Sequence, residues 1–272
     1  MKSSVTVSLV PEVRGGPFVL WDDLPGACKL AKEIGFDGIE IFAPSADAVD
    51  EKTLRTLLAD HGLALAAMGT GAGWVKHRLS LTSPDASVRA AARYFIRAII
   101  DRAGPLGAPA IVGSMQGRWG DGVDRAAALK LLGDELTELA EHAEQYPVPL
   151  LYEPLNRYET NLIVTMAEGS SFLDSLSANL LLLADLFHMN IEEANIADAL
   201  RMAGRWIGHI HFVDSNRRPA GFGHADFAPI AAALRDVKFE GFLSAEALPY
   251  PDSDSAARQT MRAFRQLVAA SK

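Results

Sequence analysis

Short runs of apolar and β-branched residues alternate with amphipathic, helix-period stretches along the whole chain, eight times over. Repetition of that kind marks parallel strands joined by crossover helices, because a parallel neighbour cannot be reached through a two-residue turn. The strands are expected near Val5–Val10, Gly38–Phe42, Leu63–Gly69, Pro109–Ser114, Val148–Glu153, Asn179–Asp185, Trp206–Phe212 and Gly241–Glu246. The helices that follow them are expected at Leu24–Ile34, Glu51–His61, Asp85–Ala103, Arg125–Gln145, Met166–Leu176, Ile191–Met202, Phe227–Val237 and Ser255–Ala269. Eight such units in 272 residues suit a single (β/α)₈ barrel, an α/β fold with its sheet closed inside a ring of helices.

No linker, low-complexity tract or composition shift interrupts the repeat, so residues 1–272 are expected to form one domain, with 49% hydrophobic residues for its core. A formal charge of −8, from 34 acidic against 26 basic residues, argues against a nucleic-acid partner. The one cysteine, Cys28, excludes an internal disulfide, fits a reducing compartment, and is expected on the buried face of the first helix. The opening MKSSVTVSLV is too short and too Ser-broken for a signal peptide, and no segment has the length of a membrane span. A cytoplasmic protein without a membrane partner is expected.

Punctuation supports the element boundaries. Ser83-Pro84-Asp85 reads as a helix N-cap with proline in the first turn, and His61-Gly62 as a glycine-closed helix end. The long loops, Thr70–Pro84 and Asp214–Asp226, follow strands, and in a (β/α)₈ barrel these loops build the active site.

Four of the later strands end on side chains that can bind a cation: Glu153 in LLYEPLNRYE, Asp185 in LLLLADLFH, His211 in WIGHIHF and Glu246 in GFLSAEAL. Their spacings of 32, 26 and 35 residues are those of consecutive βα units, which brings four adjacent strand ends to one point. Alternation puts Glu153 on the same face as Leu151, Asp185 with Leu183, His211 with His209, and Glu246 with Ser244 and Phe242, so all four can face inward. Singly, each is a solvated loop residue. Together, three carboxylates in one barrel mouth repel each other unless a cation neutralises them.

Three carboxylates and one imidazole form a mostly oxygen site, suited to one Mn²⁺ with Mg²⁺ or Co²⁺ as alternatives; a structural zinc prefers thiolates. An octahedral ion with four protein ligands keeps two positions free for the adjacent carbonyl and hydroxyl oxygens of a ketose. Such an ion polarises the carbonyl and stabilises the enediolate left when the neighbouring carbon loses its proton. No nucleotide cofactor is needed for this chemistry.

The segments EPLNRYET, DLFHMNIEE and HIHFVDSNR, with Glu246 on the last strand, resemble the xylose isomerase-like TIM-barrel superfamily. Within it they resemble the sugar isomerase and ketose 3-epimerase branch of D-tagatose 3-epimerase type. The resemblance implies that Glu153, Asp185, His211 and Glu246 bind one divalent ion, and that Glu153 and Glu246 flank the substrate as paired acid/base groups. It also implies that Glu159, His188 and Arg217 hold substrate oxygens. Arg218 reads as surface. Leu186 stands where many relatives have Thr in a DTFH motif, and the AEGSSFLDSLSAN stretch is short; neither removes a ligand.

Other residues keep two readings. Glu40, inward on the second strand, is a substrate contact or a buried, paired structural carboxylate. His209 is a hydrogen-bonded core imidazole or a group that binds at the site and orients a ligand carboxylate. Trp74, Trp119 and Gln116 read as loop packing ahead of pocket walls, and Trp21 and Trp206 as core or interface aromatics.

The activity expected is that of a metal-dependent isomerase or epimerase of a small carbohydrate, by proton abstraction next to a carbonyl. An inosose dehydratase-type lyase and a non-catalytic sugar-binding barrel are the alternatives. An apurinic-site endonuclease needs a His-rich, multi-zinc site and a basic face, against which seven scattered histidines and a charge of −8 speak. A small-molecule sugar is the partner expected, and the sequence is compatible with a homodimer or a homotetramer.

Overall fold

The structure is a computed structural model that describes residues 1–120, 122–176 and 178–269; residue 177 of the AEGSSFLDSLSAN stretch lies outside them. In chain order its elements are β1 (Lys2–Ser8), β2 (Leu20–Trp21), α1 (Leu24–Ile34), β3 (Gly38–Phe42), α2 (Glu51–His61), β4 (Ala64–Gly69), α3 (Ala72–His77), α4 (Ala86–Ala103), β5 (Ala110–Val112), α5 (Arg125–Ala143), β6 (Leu150–Tyr152), α6 (Met166–Leu176), β7 (Leu180–Asp185), α7 (Leu186–Glu192), α8 (Ile196–Ala203), β8 (Ile207–His211), α9 (Phe227–Asp236), β9 (Phe242–Ala245) and α10 (Ser253–Ala269). The strands pair in parallel in the order β1-β3-β4-β5-β6-β7-β8-β9, and β9 returns to β1 through Lys2↔Phe242 to Val5↔Ala245. This closes a single (β/α)₈ barrel. The short β2 adds to the end of β1, with Val7 opposite Leu20.

Helix starts are fixed by side-chain oxygens. Asp23, Asp50, Asp85, Asp124 and Asp226 accept backbone N–H groups of α1, α2, α4, α5 and α9, each such cap contributing about 1 kcal/mol. α1 and α2 stop at Gly35 and Gly62, whose φ angles of 97° and 60° are the left-handed turn that only glycine enters without strain.

Strand alternation separates two cores. Ala67, Ile111, Leu151 and Leu183 fill the barrel interior, with Leu181 packed against them. Their outward neighbours, such as Leu150, Leu182 and Ala184, join the larger core under the helices, where Cys28 is also buried. Leu151 and Leu183 therefore share the inner face with the strand-end carboxylates that follow them two residues on. Among the described residues no helix is long and apolar enough to cross a membrane.

The structure corrects four local expectations. β1 lies at Lys2–Ser8, where Val5–Val10 was expected, because Ser3, Ser4, Thr6 and Ser8 are buried and hide the apolar signal. Two of these hydroxyls are satisfied across the sheet, Ser3 Oγ on Asp37 Oδ2 (2.9 Å) and Thr6 Oγ1 on Ala245 O (2.7 Å). The helix expected over Ile191–Met202 is two helices, α7 and α8, because Asn195 is extended and caps α8 through Asp198 N. The loop Thr70–Pro84 contains α3. Asp85 is itself the cap of α4, so Pro84 precedes the helix.

Candidate metal centre

Four consecutive strands deliver the four expected ligands. Asp185 and His211 are the last residues of β7 and β8, and Glu153 and Glu246 directly follow β6 and β9. Their ligand atoms all lie within 4.8 Å of one another. His211 Nδ1 stands at the centre, 3.2 Å from Asp185 Oδ2, 3.4 Å from Glu153 Oε1 and 3.5 Å from Glu246 Oε2.

Each carboxylate is held by a different local device. Asp185 Oδ1 caps α7, accepting from Phe187 N (2.7 Å) and His188 N (3.2 Å), which leaves Oδ2 for the cluster. Glu153 N donates to Val112 O, and Glu153 O accepts from Gln116 Nε2 (3.0 Å), so its backbone is fixed on both sides. Gln116 is itself buried and accepts from the Tyr152 hydroxyl at 2.6 Å. At Gly113 a Cβ would collide with Glu153 Oε2; glycine there makes the carboxylate's position available.

The electrostatics are those of a site built for positive charge. Burial disfavours a charged His211, but Glu246, Glu40, Asp185 and Glu153 outweigh it and raise its pKa well above the ordinary value. Burial, reinforced by the negative Glu153 and Asp185, pushes Glu246 up to about 7 against the pull of His211 and Arg217. Protons do here what a divalent cation would do better.

The donor set fits such a cation: three hard carboxylates and one borderline imidazole nitrogen, a mostly oxygen set suited to an octahedral ion. A further buried group is waiting beside it. His188 Nδ1 lies within reach of the Asn156 amide (2.7 Å) and of Asn156 N (3.3 Å), a backbone group that can only donate. Nδ1 is therefore an acceptor and Nε2 carries the proton. That Nε2 is buried without a hydrogen-bond partner, 3.9 Å from Glu153 Oε1 and 3.8 Å from Asp185 Oδ2. An N–H there suits a substrate oxygen and cannot ligate a cation.

Arg217 completes the wall. Its Nη2 donates to Glu246 Oε2 (2.9 Å), Nη1 to Glu159 Oε1 (3.3 Å), and the guanidinium lies 4.8 Å from the centre of the Phe187 ring. The residue sits at φ 59°, a left-handed position enforced by a turn in which Arg217 N bonds Asp214 O and Arg217 O accepts from Leu248 N. Asp214, fully buried, anchors that loop by accepting from Ser215 N, Gly221 N and Ala225 N. Arg218 points away and stacks over the Tyr250 ring.

Glu153, Glu159, Glu40, His188, His211, Arg217 and Glu246 all line one cavity of about 710 Å³. His209, expected among the substrate-binding residues, is not in that lining: it is buried against Glu40, Nε2 to Oε2 at 2.8 Å, on the side away from the ligands. Glu40 takes His211 Nε2 on its other oxygen at 3.1 Å. Trp74 lines the cavity, whereas Trp119 is 43% exposed with its indole N–H on Asn161 O. Sequence reasoning assigned no role to Asn156 or Asp214, although both lie inside the quoted motifs EPLNRYET and HIHFVDSNR, and it read Gln116 as packing.

The xylose isomerase-like TIM barrel model matches residues 28–267. The chain belongs to this family. Among family relatives, it is 32% identical over 247 residues to the D-psicose 3-epimerase of Agrobacterium fabrum, covering 88% of this chain and 83% of that one. It is 34% identical to the L-ribulose 3-epimerase of Mesorhizobium japonicum, covering 78% and 73%. A crystal structure of a D-psicose 3-epimerase in the presence of D-fructose superposes with a TM-score of 0.81 at 25% identity, covering 98% of this chain and 99% of that one.

Proposed function

We propose that this chain is a divalent-metal-dependent ketose 3-epimerase, an isomerase-class enzyme, with Glu153, Asp185, His211 and Glu246 as metal ligands and Mn²⁺ as the working ion. The reading rests on one observation: two glutamates from non-adjacent strands, β6 and β9, reach the same cluster with Asp185 and His211 between them. The similarity to D-psicose and L-ribulose 3-epimerases supports the substrate class.

A cation in this site supplies Lewis acidity, polarising the ketose carbonyl and offsetting the charge left by proton removal. The residues do the rest. Glu153 and Glu246 approach the bound sugar from two sides, so one takes the C3 proton and the other returns one to the opposite face, inverting the centre. Arg217 sets the orientation of Glu246 and, with Glu159, faces the sugar hydroxyls. His188 Nε2 donates to a substrate oxygen, its tautomer set by Asn156. The buried floor keeps water from the carbanionic carbon.

Incubation of the Mn²⁺-loaded protein with D-psicose, D-fructose, D-tagatose and L-ribulose in D₂O tests this. The expected result is the 3-epimer carrying deuterium at C3. Dehydrated products would assign a lyase, and absence of exchange into every ketose with Mn²⁺, Mg²⁺ and Co²⁺ would overturn the proposal.

A further inference from the structure

His211 belongs to two clusters at once: the three ligand carboxylates on one side of its ring, Glu40 and His209 on the other. Glu40 is an ionisable group sealed into the barrel, 5% exposed, and its two oxygens are divided between two imidazoles, Oε2 to His209 Nε2 (2.8 Å) and Oε1 to His211 Nε2 (3.1 Å). A carboxylate only accepts, so both ring nitrogens must carry protons. With one proton fixed on Nε2, His211 presents Nδ1 to Glu153, Asp185 and Glu246, and its lone pair to a cation once the second proton has left.

We infer that Glu40 and His209 are positioning residues, a buried relay that fixes the tautomer and ring orientation of His211 and thereby sets the protein's affinity for its divalent cation. The inference rests on the metal site proposed above, and it assigns Glu40 to the ligand's far nitrogen although Glu40 also lines the cavity. His209 acts at one remove: its N–H occupies the second oxygen and keeps Glu40 from rotating out of line with His211. Such outer partners change metal affinity by about 10–100-fold in other metal sites.

Glu40→Gln discriminates sharply. The amide offers one acceptor and one NH₂ to two imidazoles that both present N–H, so one ring must move its proton to Nδ1, and the charge that makes His211 a stronger ligand is gone. Mn²⁺ titration followed by EPR of the free ion reads affinity without turnover. The expected result is a Kd raised about 10–100-fold for Glu40→Gln. His209→Leu, which removes the donor, should raise Kd in the same direction, and His209→Gln, which keeps an N–H at that reach, should restore most of the affinity. Wild-type Mn²⁺ affinity in Glu40→Gln together with a raised ketose KM would overturn the inference and make Glu40 a substrate contact. Equal affinities in His209→Leu and His209→Gln would remove His209 from the relay, a result that does not depend on Glu40→Gln folding. If wild-type protein itself binds no Mn²⁺, the failure belongs to the metal site and not to the relay.

Discussion

Replacing Arg217 with alanine separates substrate positioning from metal binding. The side chain is 18% exposed, donates to Glu246 at 2.9 Å and to Glu159 at 3.3 Å, and cannot ligate a cation. Its loss therefore leaves all four proposed ligand side chains in place while removing the donor that holds Glu246 and, in the proposed reaction, faces the sugar. One charged hydrogen bond of this kind contributes about 1.5–3 kcal/mol. At about 1.4 kcal/mol per factor of ten, kcat/KM falls about 10–150-fold. Because the Arg217 charge lowers the Glu246 pKa, the acid limb of the kcat/KM profile should also move to higher pH. The assay is initial-rate kinetics on the best ketose of the panel, paired with metal analysis of the same preparation. Bound metal should stay at the wild-type level. A variant that loses the cation places Arg217 in the structural support of the metal site, and unchanged kinetics with an unchanged pH profile would refute the positioning argument outright.

Metal binding should release protons, since His211 is held well above its ordinary pKa and Glu246 at about 7 in the metal-free protein; calorimetry in buffers of different ionisation heat reads this, and affinity should rise with pH. In that metal-free protein both groups bind protons more tightly folded than unfolded, so stability should fall as pH rises, for Glu246 between 4.5 and about 7 and for His211 from 6.5 upward. A melting temperature that climbs between about pH 5 and pH 8 without metal would contradict those shifts. Gly113→Ala drives a methyl group into Glu153 Oε2 and should weaken Mn²⁺ binding by about tenfold or more with the circular dichroism unchanged. Tyr152→Phe leaves buried Gln116 Oε1 without its donor and should cost about 1–3 kcal/mol in urea unfolding, with a weaker effect on metal affinity through the Gln116–Glu153 contact.

The order of strands and helices was legible because each unit carries its own signal. Period-two alternation in LLLLAD puts Leu183 and Asp185 on one face whatever surrounds them, and the same rule places His211 and Glu153 inward. A chain that repeats that unit eight times, each strand ending in a loop, has fixed the barrel and the meeting point of the four proposed ligands. The closing strand was less legible: serines and threonine inside β1 look polar in sequence, and only their partners across the sheet, Asp37 and Ala245, make them interior residues.

What no local pattern carries is which atom of each side chain faces the site. A histidine in sequence is two nitrogens without a direction. His188 acquires one from Asn156, 32 residues away, and His211 from Glu40, 171 residues away. Arg217 reads as half of a solvated loop pair until the turn on Asp214 forces its backbone to φ 59° and swings the guanidinium onto Glu246. Sequence alone determined which residue types reach the barrel mouth, because that depends on periodicity along one strand; the tertiary structure decided protonation, orientation and pairing, because a buried polar atom must take its partner from whichever strand the closed barrel sets beside it.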